Sequence, residues 1–287
     1  MPLVAALAAS HAPNILLNPG SEWEDFMRLH YRMAPQAVSS KPTLGQQQKL
    51  RQDAEKAFAL LRADLEAAQP DVLIVVANDQ FVNFFFNVIP TFFVTLADEV
   101  KGQFTQHHFR YKNHKELGRA ILRAGLEKGI DFAFGEYVEL QHTQTVPLYF
   151  LLPEAKIPIL PIYVNTWVDP IPTPRRCYQV GELIRAVADA RSERVAILAT
   201  GGLSHFPGSP RIGEIDTEFD HQLLEIMRQG KGRALADYSL EQLLQAGDSE
   251  FLNWMVALGT VQDAKAASTA YMPDLVATGW GFASWKL

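Results

Sequence analysis

Four short stretches of this chain carry side chains that can bind a metal ion or move protons. His11 follows an apolar run near the N-terminus, residues 78–80 follow a second run, His205 follows a third, and Glu250 stands late in the chain. Imidazole and carboxylate groups bind divalent transition metals, and two imidazoles with one carboxylate leave open positions on the metal. Residues of these types in this order suggest a mononuclear iron centre.

Each of these residues taken alone has a simpler explanation. A single histidine after a strand is most often a hydrogen-bonded structural residue. Glu250 fits a carboxylate near a helix start, where the helix dipole favours negative charge. His142 precedes an apolar helical stretch and fits a capping histidine as well as an acid. Several polar groups in the same topological position favour a common site over separate structural roles.

Strands alternating with helices must position these residues. Apolar runs without polar alternation are typical of strands in a sheet that is covered on both faces. We predict strands at residues 3–9, 72–77, 91–96, 157–164 and 195–200, and a closing strand within 275–285. Helical spacing and start signals such as Thr173-Pro174 predict helices at 46–68, 173–190, 213–229 and 239–258.

This alternation predicts an α/β fold, with a mixed or mainly parallel central sheet and helices on both faces, in a single domain that spans residues 1–287. In open α/β sheets, functional groups collect beyond the carboxyl ends of the strands. His11, Asn78, Asp79, Gln80 and His205 all follow predicted strands. We therefore expect them to converge on one crevice.

Three segments have less regular patterns. Residues 18–41 have an irregular pattern, and we predict a long ordered loop or a lid there, with a short helix near 23–32. Residues 103–114 are polar and rich in histidine, and we expect these histidines to be solvated or hydrogen-bonded. Residues 81–88 contain four phenylalanines. We expect most of them to anchor the core and some to wall a flat aromatic pocket.

Composition excludes several classes of protein. The 287 residues can bury a substantial core, and a net charge of −6 offers no basic stripe for nucleic acid. The apolar runs are too short to span a bilayer, and no secretory leader is expected. The single cysteine, Cys177, excludes a disulfide framework and is expected to be structural. We therefore expect a cytoplasmic protein that binds neither nucleic acid nor a membrane.

Five motifs occur in a diagnostic order over nearly the whole chain. They are Ser10-His11-Ala12-Pro13, NDQFVNFFFNVIPT from Asn78 to Thr91, His142 with Val146-Pro147-Leu148, Gly201-Gly202-Leu203-Ser204-His205-Phe206, and Glu250 with Asn253-Trp254. Each motif is moderately specific, and the ordered set is highly specific. The chain resembles the class III extradiol dioxygenases, in particular the catalytic β subunit of the protocatechuate 4,5-dioxygenase type.

The resemblance implies a ligand set and a reaction. In that family two histidines and a glutamate bind Fe(II), which assigns ligand positions to His11, Gln80 and Glu250. The acid/base role maps to His205, and a further histidine near the site maps to His142. The family opens an aromatic ring beside two ring hydroxyls. Iron holds the catecholate and dioxygen, and the protein supplies proton transfer and orientation.

The resemblance also implies the partners. The substrate class is a small catecholic or phenolic compound together with dioxygen. Members of the family pair as homo-oligomers or with a small α-type subunit, and we expect one of these arrangements here.

Position 80 departs from the family pattern, because the expected second metal-binding histidine is Gln80. A glutamine carbonyl is a poorer donor for Fe(II) than neutral imidazole, so metal affinity or activity should fall by at least about 10–100-fold. Gln80 is therefore an engineered inactivating change, a natural variant that keeps iron, or the mark of a branch that lost oxygenase chemistry. The last case includes a metal-poor lyase or hydrolase using His205 as acid/base, or a non-catalytic partner subunit.

Overall fold

An eight-stranded mixed sheet runs through the computed structural model of this protein, which describes residues 2–33, 42–206, 209–211, 213–276 and 278–287. The strands are β1 (Leu3–Ala9), β2 (Val72–Ala77), β3 (Phe92–Thr95), β4 (Glu99–Phe104), β5 (His107–Lys112), β6 (Ala133–Gly135), β7 (Glu139–Leu140), β8 (Ile159–Val164), β9 (Val195–Thr200), β10 (Ser268–Pro273) and β11 (Gly279–Lys286). The helices are α1 (Ser21–Met33), α2 (Leu44–Ala68), α3 (Lys115–Lys128), α4 (His142–Leu151), α5 (Pro174–Asp189), α6 (Thr217–Arg228), α7 (Leu240–Ala246) and α8 (Phe251–Val261).

The order of strands in the large sheet is β10-β11-β1-β9-β2-β8-β3-β6. The four central strands β1, β9, β2 and β8 are parallel, whereas β11 and β3 join their neighbours β1 and β8 in antiparallel pairs. The register aligns Ala9 of β1 with Thr200 of β9. The carboxyl ends of the central parallel strands therefore lie at one edge of the sheet.

Two hydrophobic cores lie on the two faces of this sheet. Alternate residues of β1 enter different cores, with Ala6 and Ala8 on one face and Leu7 and Ala9 on the other. Helices α3, α5, α6 and α8 cover the first face, and α1, α2 and α4 cover the second. This double coverage explains why the central strands are apolar along their whole length, and it confirms the predicted fold class.

Several parts of the chain differ from the sequence prediction. Residues 103–114, a polar segment for which no strand is predicted, contribute to the hairpin β4–β5, which forms a three-stranded second sheet with β7. No strand is predicted at β6 or β10 either. Residues 239–258 form two helices instead of one, because Gly247 adopts a left-handed conformation (φ 82°) that ends α7. The interruption places Glu250 at the N-terminus of α8.

The helix predicted near residues 23–32 corresponds to α1, and the remainder of the predicted lid, 34–41, lies outside the described residues. Within the described part of the chain, no helix is both long and apolar enough to cross a membrane.

Candidate active site

The predicted site residues lie at the carboxyl edge of the central sheet. His11 follows β1, Asn78 and Gln80 follow β2, and His205 follows β9. These three strands are neighbours in the order β1-β9-β2, so the segments that leave them meet at the same edge. Helix α8 packs across these strands and brings Glu250 to them from its N-terminus. The expected convergence of His11, Asn78, Gln80 and His205 is therefore observed.

The carboxylate of Glu250 is the hub of this cluster. Its side chain is fully buried, and its Oε2 atom lies 3.0 Å from His11 Nε2 and 3.5 Å from His205 Nε2. The backbone N–H of Gly202 donates to the same oxygen at 3.0 Å. Burial alone would raise the pKa of Glu250, but the facing imidazoles of His11 and His205 and the Gly202 N–H hold it well below its usual range. Glu250 is therefore a carboxylate despite its burial.

The other oxygen of Glu250 accepts from two amides. Asn78 Nδ2 donates to Oε1 at 2.9 Å and Gln80 Nε2 donates at 3.2 Å. Asn253, one turn along α8, donates to Asn78 Oδ1 at 3.3 Å and to the Thr200 carbonyl at 2.8 Å, which fixes the orientation of the Asn78 amide. Among the described residues, the side chain of Gln80 donates only to Glu250, so its terminal amide can rotate if a different partner is offered.

A hydroxyl group orients the ring of His11. The ring is buried, and its Nδ1 lies 3.1 Å from the hydroxyl of Thr200, the last residue of β9. Because the Glu250 carboxylate can only accept, Nε2 carries the hydrogen of the neutral ring, and the Thr200 hydroxyl donates to Nδ1; with Nε2 bound to a metal, the hydroxyl would instead accept from Nδ1–H. The contact directs Nε2 towards Glu250 in both cases.

His205 is anchored through one nitrogen only. Its Nδ1 lies 2.9 Å from the carbonyl oxygen of Leu203. Because a carbonyl can only accept, Nδ1 carries a hydrogen, and Nε2 is the nitrogen that can hold or release a proton towards the centre.

His142 lies beside this centre at the start of α4. Its ring stands edge-on to His11, with centroids 5.6 Å apart, and near Phe104. Desolvation and, to a smaller extent, the neighbouring His11 lower the pKa of His142 to about 3, against the opposing effect of Glu250. His142 is therefore a neutral imidazole around neutral pH. It is both the first residue of α4 and a neighbour of the cluster.

Asp79 points away from the cluster and organises the loop that follows β2. Its carboxylate accepts from the backbone N–H groups of Val82, Asn83 and Phe84 and from the amide of Gln141. The prediction that Asp79 joins the crevice with its neighbours is therefore wrong for its side chain, because three consecutive N–H groups capture it.

The aromatic loop at residues 81–88 is less buried than expected. Phe84 packs against Phe93 and Tyr163, whereas 51% of Phe85 and 82% of Phe86 is exposed. Core anchoring therefore holds for Phe84 and fails for Phe85 and Phe86.

The donor set is compatible with a divalent cation only if Gln80 takes part. In the described part of the chain, no three His, Cys, Asp or Glu side chains are grouped so as to hold a metal ion. Rotation of the Gln80 amide would bring its oxygen to face Oε1 of Glu250, the carboxylate whose other oxygen lies 3.0 Å from His11 Nε2. One imidazole nitrogen and the amide and carboxylate oxygens make an oxygen-rich donor set, which suits Fe(II) less well than two imidazoles would.

Two residues that support the site, Thr200 and Gln141, were not identified from the sequence. Thr200 holds the ring of His11. Gln141 holds the segment at Gln80, because its Oε1 accepts from the Gln80 N–H at 3.0 Å. The position of Thr200, at the end of a strand before two glycines, was the available signal. No comparable signal marked Gln141.

Solved and curated proteins show similarity to this chain. The crystal structure of the uncharacterized protein JW3007 from Escherichia coli K12 aligns with 98% of this chain and 99% of its own, with a TM-score of 0.56 and 12% identity, so the likeness concerns the fold. The 2,3-dihydroxyphenylpropionate/2,3-dihydroxicinnamic acid 1,2-dioxygenase 2 of Pseudomonas putida is 32% identical over 175 residues, which are 61% of this chain and 54% of that protein. The corresponding dioxygenase 1 of Pseudomonas putida is 30% identical over 184 residues, 64% of this chain and 57% of that protein.

The chain thus spans about half the length of the curated relatives that it matches. A family profile covers far more of it: residues 34–282 match the catalytic LigB subunit of aromatic ring-opening dioxygenase. The chain therefore belongs to the LigB family of aromatic ring-opening dioxygenase catalytic subunits.

Proposed function

We propose that this protein is a non-haem Fe(II) extradiol dioxygenase that opens the ring of a small catecholic or phenolic compound in aromatic degradation. Family members are generally non-haem iron enzymes, and two curated relatives are dioxygenases of dihydroxylated phenylpropionate. The observation that carries the proposal is the convergence of His11, His205 and Gln80 on the buried carboxylate of Glu250. Such a cluster at the carboxyl edge of a parallel sheet suits a metal-assisted reaction.

The metal would be held by His11 Nε2, the Glu250 carboxylate and the amide oxygen of Gln80. Bound Fe(II) would supply the electron transfer between a catecholate and dioxygen that the protein side chains cannot provide. The chain's own contribution is to orient these ligands. Thr200 holds the ring of His11, and Asn78 holds one oxygen of Glu250.

The catalytic roles of the protein side chains are assigned to two histidines, of which His205 transfers the proton. His205 is anchored at Nδ1, so its Nε2 can hold a proton at the centre and deliver it to a substrate oxygen. His142 is neutral around neutral pH, and its lowered pKa makes it a weak base, so its imidazole can accept a hydrogen bond from a phenolic hydroxyl and help to orient it.

The partners follow from the same proposal. The substrates are a small aromatic compound and dioxygen, and we propose either a homo-oligomer or a complex with a small α-type subunit. The single cysteine, Cys177, is buried and suits a reducing cytoplasm.

Iron content and oxygen uptake test this proposal together. The protein and its Gln80→His variant are loaded anaerobically with Fe(II) and then mixed with a panel of catechols and gallate-like phenols. We expect both proteins to bind iron and to consume oxygen in step with ring opening, with the affinity of Gln80→His about 10–100-fold higher. Glu250→Gln, which keeps the size of the side chain but removes its charge, is the negative control.

A second candidate is a lyase or hydrolase that uses His205 as acid/base without a metal. The hydrogen bonds of Glu250 favour this candidate. Two amides, a backbone N–H and an imidazole already contact its two oxygens, so the carboxylate has partners without a metal ion. This enzyme would turn over a β-dicarbonyl or phenolic substrate without oxygen uptake. Failure of both proteins to bind iron would contradict the dioxygenase proposal and favour this candidate. A non-catalytic partner subunit is less well supported, because a subunit without activity has no chemical need for Glu250, His205 and His142 together.

A further inference from the structure

A buried polar network lies next to the segment that carries His205. Ser204, which precedes His205, and Asp220 of α6 are both fully buried. The Asp220 carboxylate accepts from the Ser204 N–H at 2.9 Å, from the Ser204 hydroxyl at 2.8 Å and from the Tyr271 hydroxyl of β10 at 2.6 Å. The Ser204 hydroxyl in turn accepts from the Asp216 N–H at the start of α6 at 2.7 Å. Three donors on one buried carboxylate form a satisfied and rigid network.

One peptide group connects this network to the ring of His205. The N–H of Ser204 and the carbonyl of Leu203 belong to the same planar peptide and point in opposite directions. Asp220 accepts from the N–H side, and the carbonyl on the other side accepts from His205 Nδ1 at 2.9 Å. Rotation of this peptide would therefore remove the acceptor that fixes the ring.

The rest of the segment is held by backbone contacts. Leu203 N–H donates to the Gly279 carbonyl at 2.8 Å, Gly279 N–H donates to the Ser204 carbonyl at 3.0 Å, and His205 N–H donates to the Gly247 carbonyl at 3.0 Å. These bonds place the segment beside β11 and α7. None of these bonds involves the peptide group between Leu203 and Ser204. Its orientation is set by Asp220, which accepts from the N–H of Ser204.

The Asp220 carboxylate packs directly against the backbone of Gly279, where a larger residue would not fit. A Cβ atom at Gly279 would lie 2.3 Å from Asp220 Oδ2 and 2.9 Å from Tyr271 Oη. Neither atom can give way without losing its hydrogen bond, since both belong to the buried network. Gly279 therefore couples the start of β11 to this buried network.

We propose that Asp220, with Tyr271 as its second anchor, is the positioning residue for His205, acting through the peptide between Leu203 and Ser204. The kinetic consequence rests on the proposed function, in which His205 moves a proton. The structural consequence, one fixed orientation of the His205 ring, does not depend on the reaction.

Two measurements on the full chain test this inference. In histidine-labelled protein, the ring signal of His205 is identified among the eight histidines by its loss in His205→Gln. In Asp220→Ala we expect this signal to broaden or double, and in Asp220→Asn, which keeps one acceptor oxygen, we expect partial recovery. In the ring-opening assay, Asp220→Ala should lower kcat by about 100-fold, because a small misplacement of a catalytic group has that effect. KM should change by less than about threefold.

Asp64→Ala is the matched control. Asp64 also accepts from a buried serine hydroxyl, Ser284 Oγ at 2.6 Å, and it pairs with Lys286 at the end of β11 away from the site. We expect this variant to leave both the His205 signal and kcat unchanged. In the His205→Gln background, Asp220→Ala should cause no further loss of kcat, because the two residues act as one unit.

Tyr271→Phe serves if Asp220→Ala fails to fold. It removes one hydrogen bond from Asp220, and we expect a broadened His205 signal and a fall in kcat of about fivefold. An unchanged His205 signal in folded Asp220→Ala or Tyr271→Phe would overturn the inference, and so would an equal loss of kcat with and without His205. Absence of ring-opening activity in every variant, together with a broadened His205 signal, would refute the proposed function and leave the positioning role supported.

Discussion

At the scale of single residues, the side chains of the site divide into those that face the centre and those that hold them. Glu250 and His11 face the centre and are almost fully buried. Thr200, Asn78 and Asn253 lie behind them, and each makes a hydrogen bond to a buried polar atom of the site. Because a misdirected ligand binds a metal poorly, substitutions of these supporting residues should lower the affinity of the site for a metal ion.

Thr200→Val tests this at His11. Valine keeps the shape of threonine but removes the hydroxyl 3.1 Å from His11 Nδ1, so the ring loses the contact that orients it. We expect the affinity for Fe(II), measured by anaerobic titration, to fall about 10-fold or more. Thr200→Ser keeps the hydroxyl and should retain the original affinity. Equal affinities for all three proteins would show that the ring of His11 is oriented by other contacts.

At the scale of elements, the position of Glu250 depends on how α8 packs against α5. The two helices approach so closely that glycine is required on both. A Cβ at Gly181 of α5 would lie 2.0 Å from the Val256 carbonyl, and a Cβ at Gly259 of α8 would lie 2.0 Å from the Tyr178 carbonyl. Because α8 begins directly after Glu250, a displaced helix moves the carboxylate away from His11.

Gly181→Ala should therefore affect both stability and the site. The added methyl group must separate two backbones, so we expect the free energy of unfolding in urea to fall by about 1–3 kcal/mol or more. Iron affinity should fall with it. Gly45→Ala is the control, since a Cβ there meets no atom within 4 Å and alanine should stabilise helix α2 by about 0.5–1 kcal/mol. A fully stable Gly181→Ala would contradict the packing argument.

At the scale of the whole molecule, a second buried carboxyl group influences global stability. Asp248 is fully buried, and its carboxyl group lies next to that of Asp220. Burial raises the pKa of Asp248 well above its usual value, and the nearby charges of Asp220 and Asp216 raise it further. The folded protein therefore favours the neutral carboxyl.

Asp248→Asn should make the protein more stable at neutral and alkaline pH. A group whose pKa is raised by folding supports the folded state below its unfolded pKa of about 4, and this support is lost as pH rises through the folded pKa. We therefore expect the unfolding free energies of the two proteins to be similar near pH 4 and to diverge as pH rises, with Asp248→Asn the more stable. Urea unfolding from pH 4 to pH 8 measures this difference. Parallel curves would show that Asp248 does not gain a proton on folding.

Local patterns were sufficient for the fold class, for the strands β1, β2, β3, β8, β9 and β11 and for the grouping of most candidate site residues, but not for β4, β5, β6, β7 or β10. The run at Val195–Thr200 is apolar throughout because both faces of its strand are covered, so burial is encoded in the run itself. The residues that follow such strands meet at one edge of the sheet. The sequence alone therefore predicts that His11, Gln80 and His205 lie close together.

Only the tertiary structure decided which way these side chains turn and what holds them. Asp79 is adjacent to Gln80 in sequence, yet it turns to the N–H groups of its own loop while Gln80 turns to Glu250. Asp220 and Tyr271 lie 16 and 67 residues after Ser204, and they meet it because α6 and β10 are brought together by the sheet. A strand or helix is encoded by the spacing of nearby residues, whereas a buried hydrogen bond depends on elements far apart in the chain.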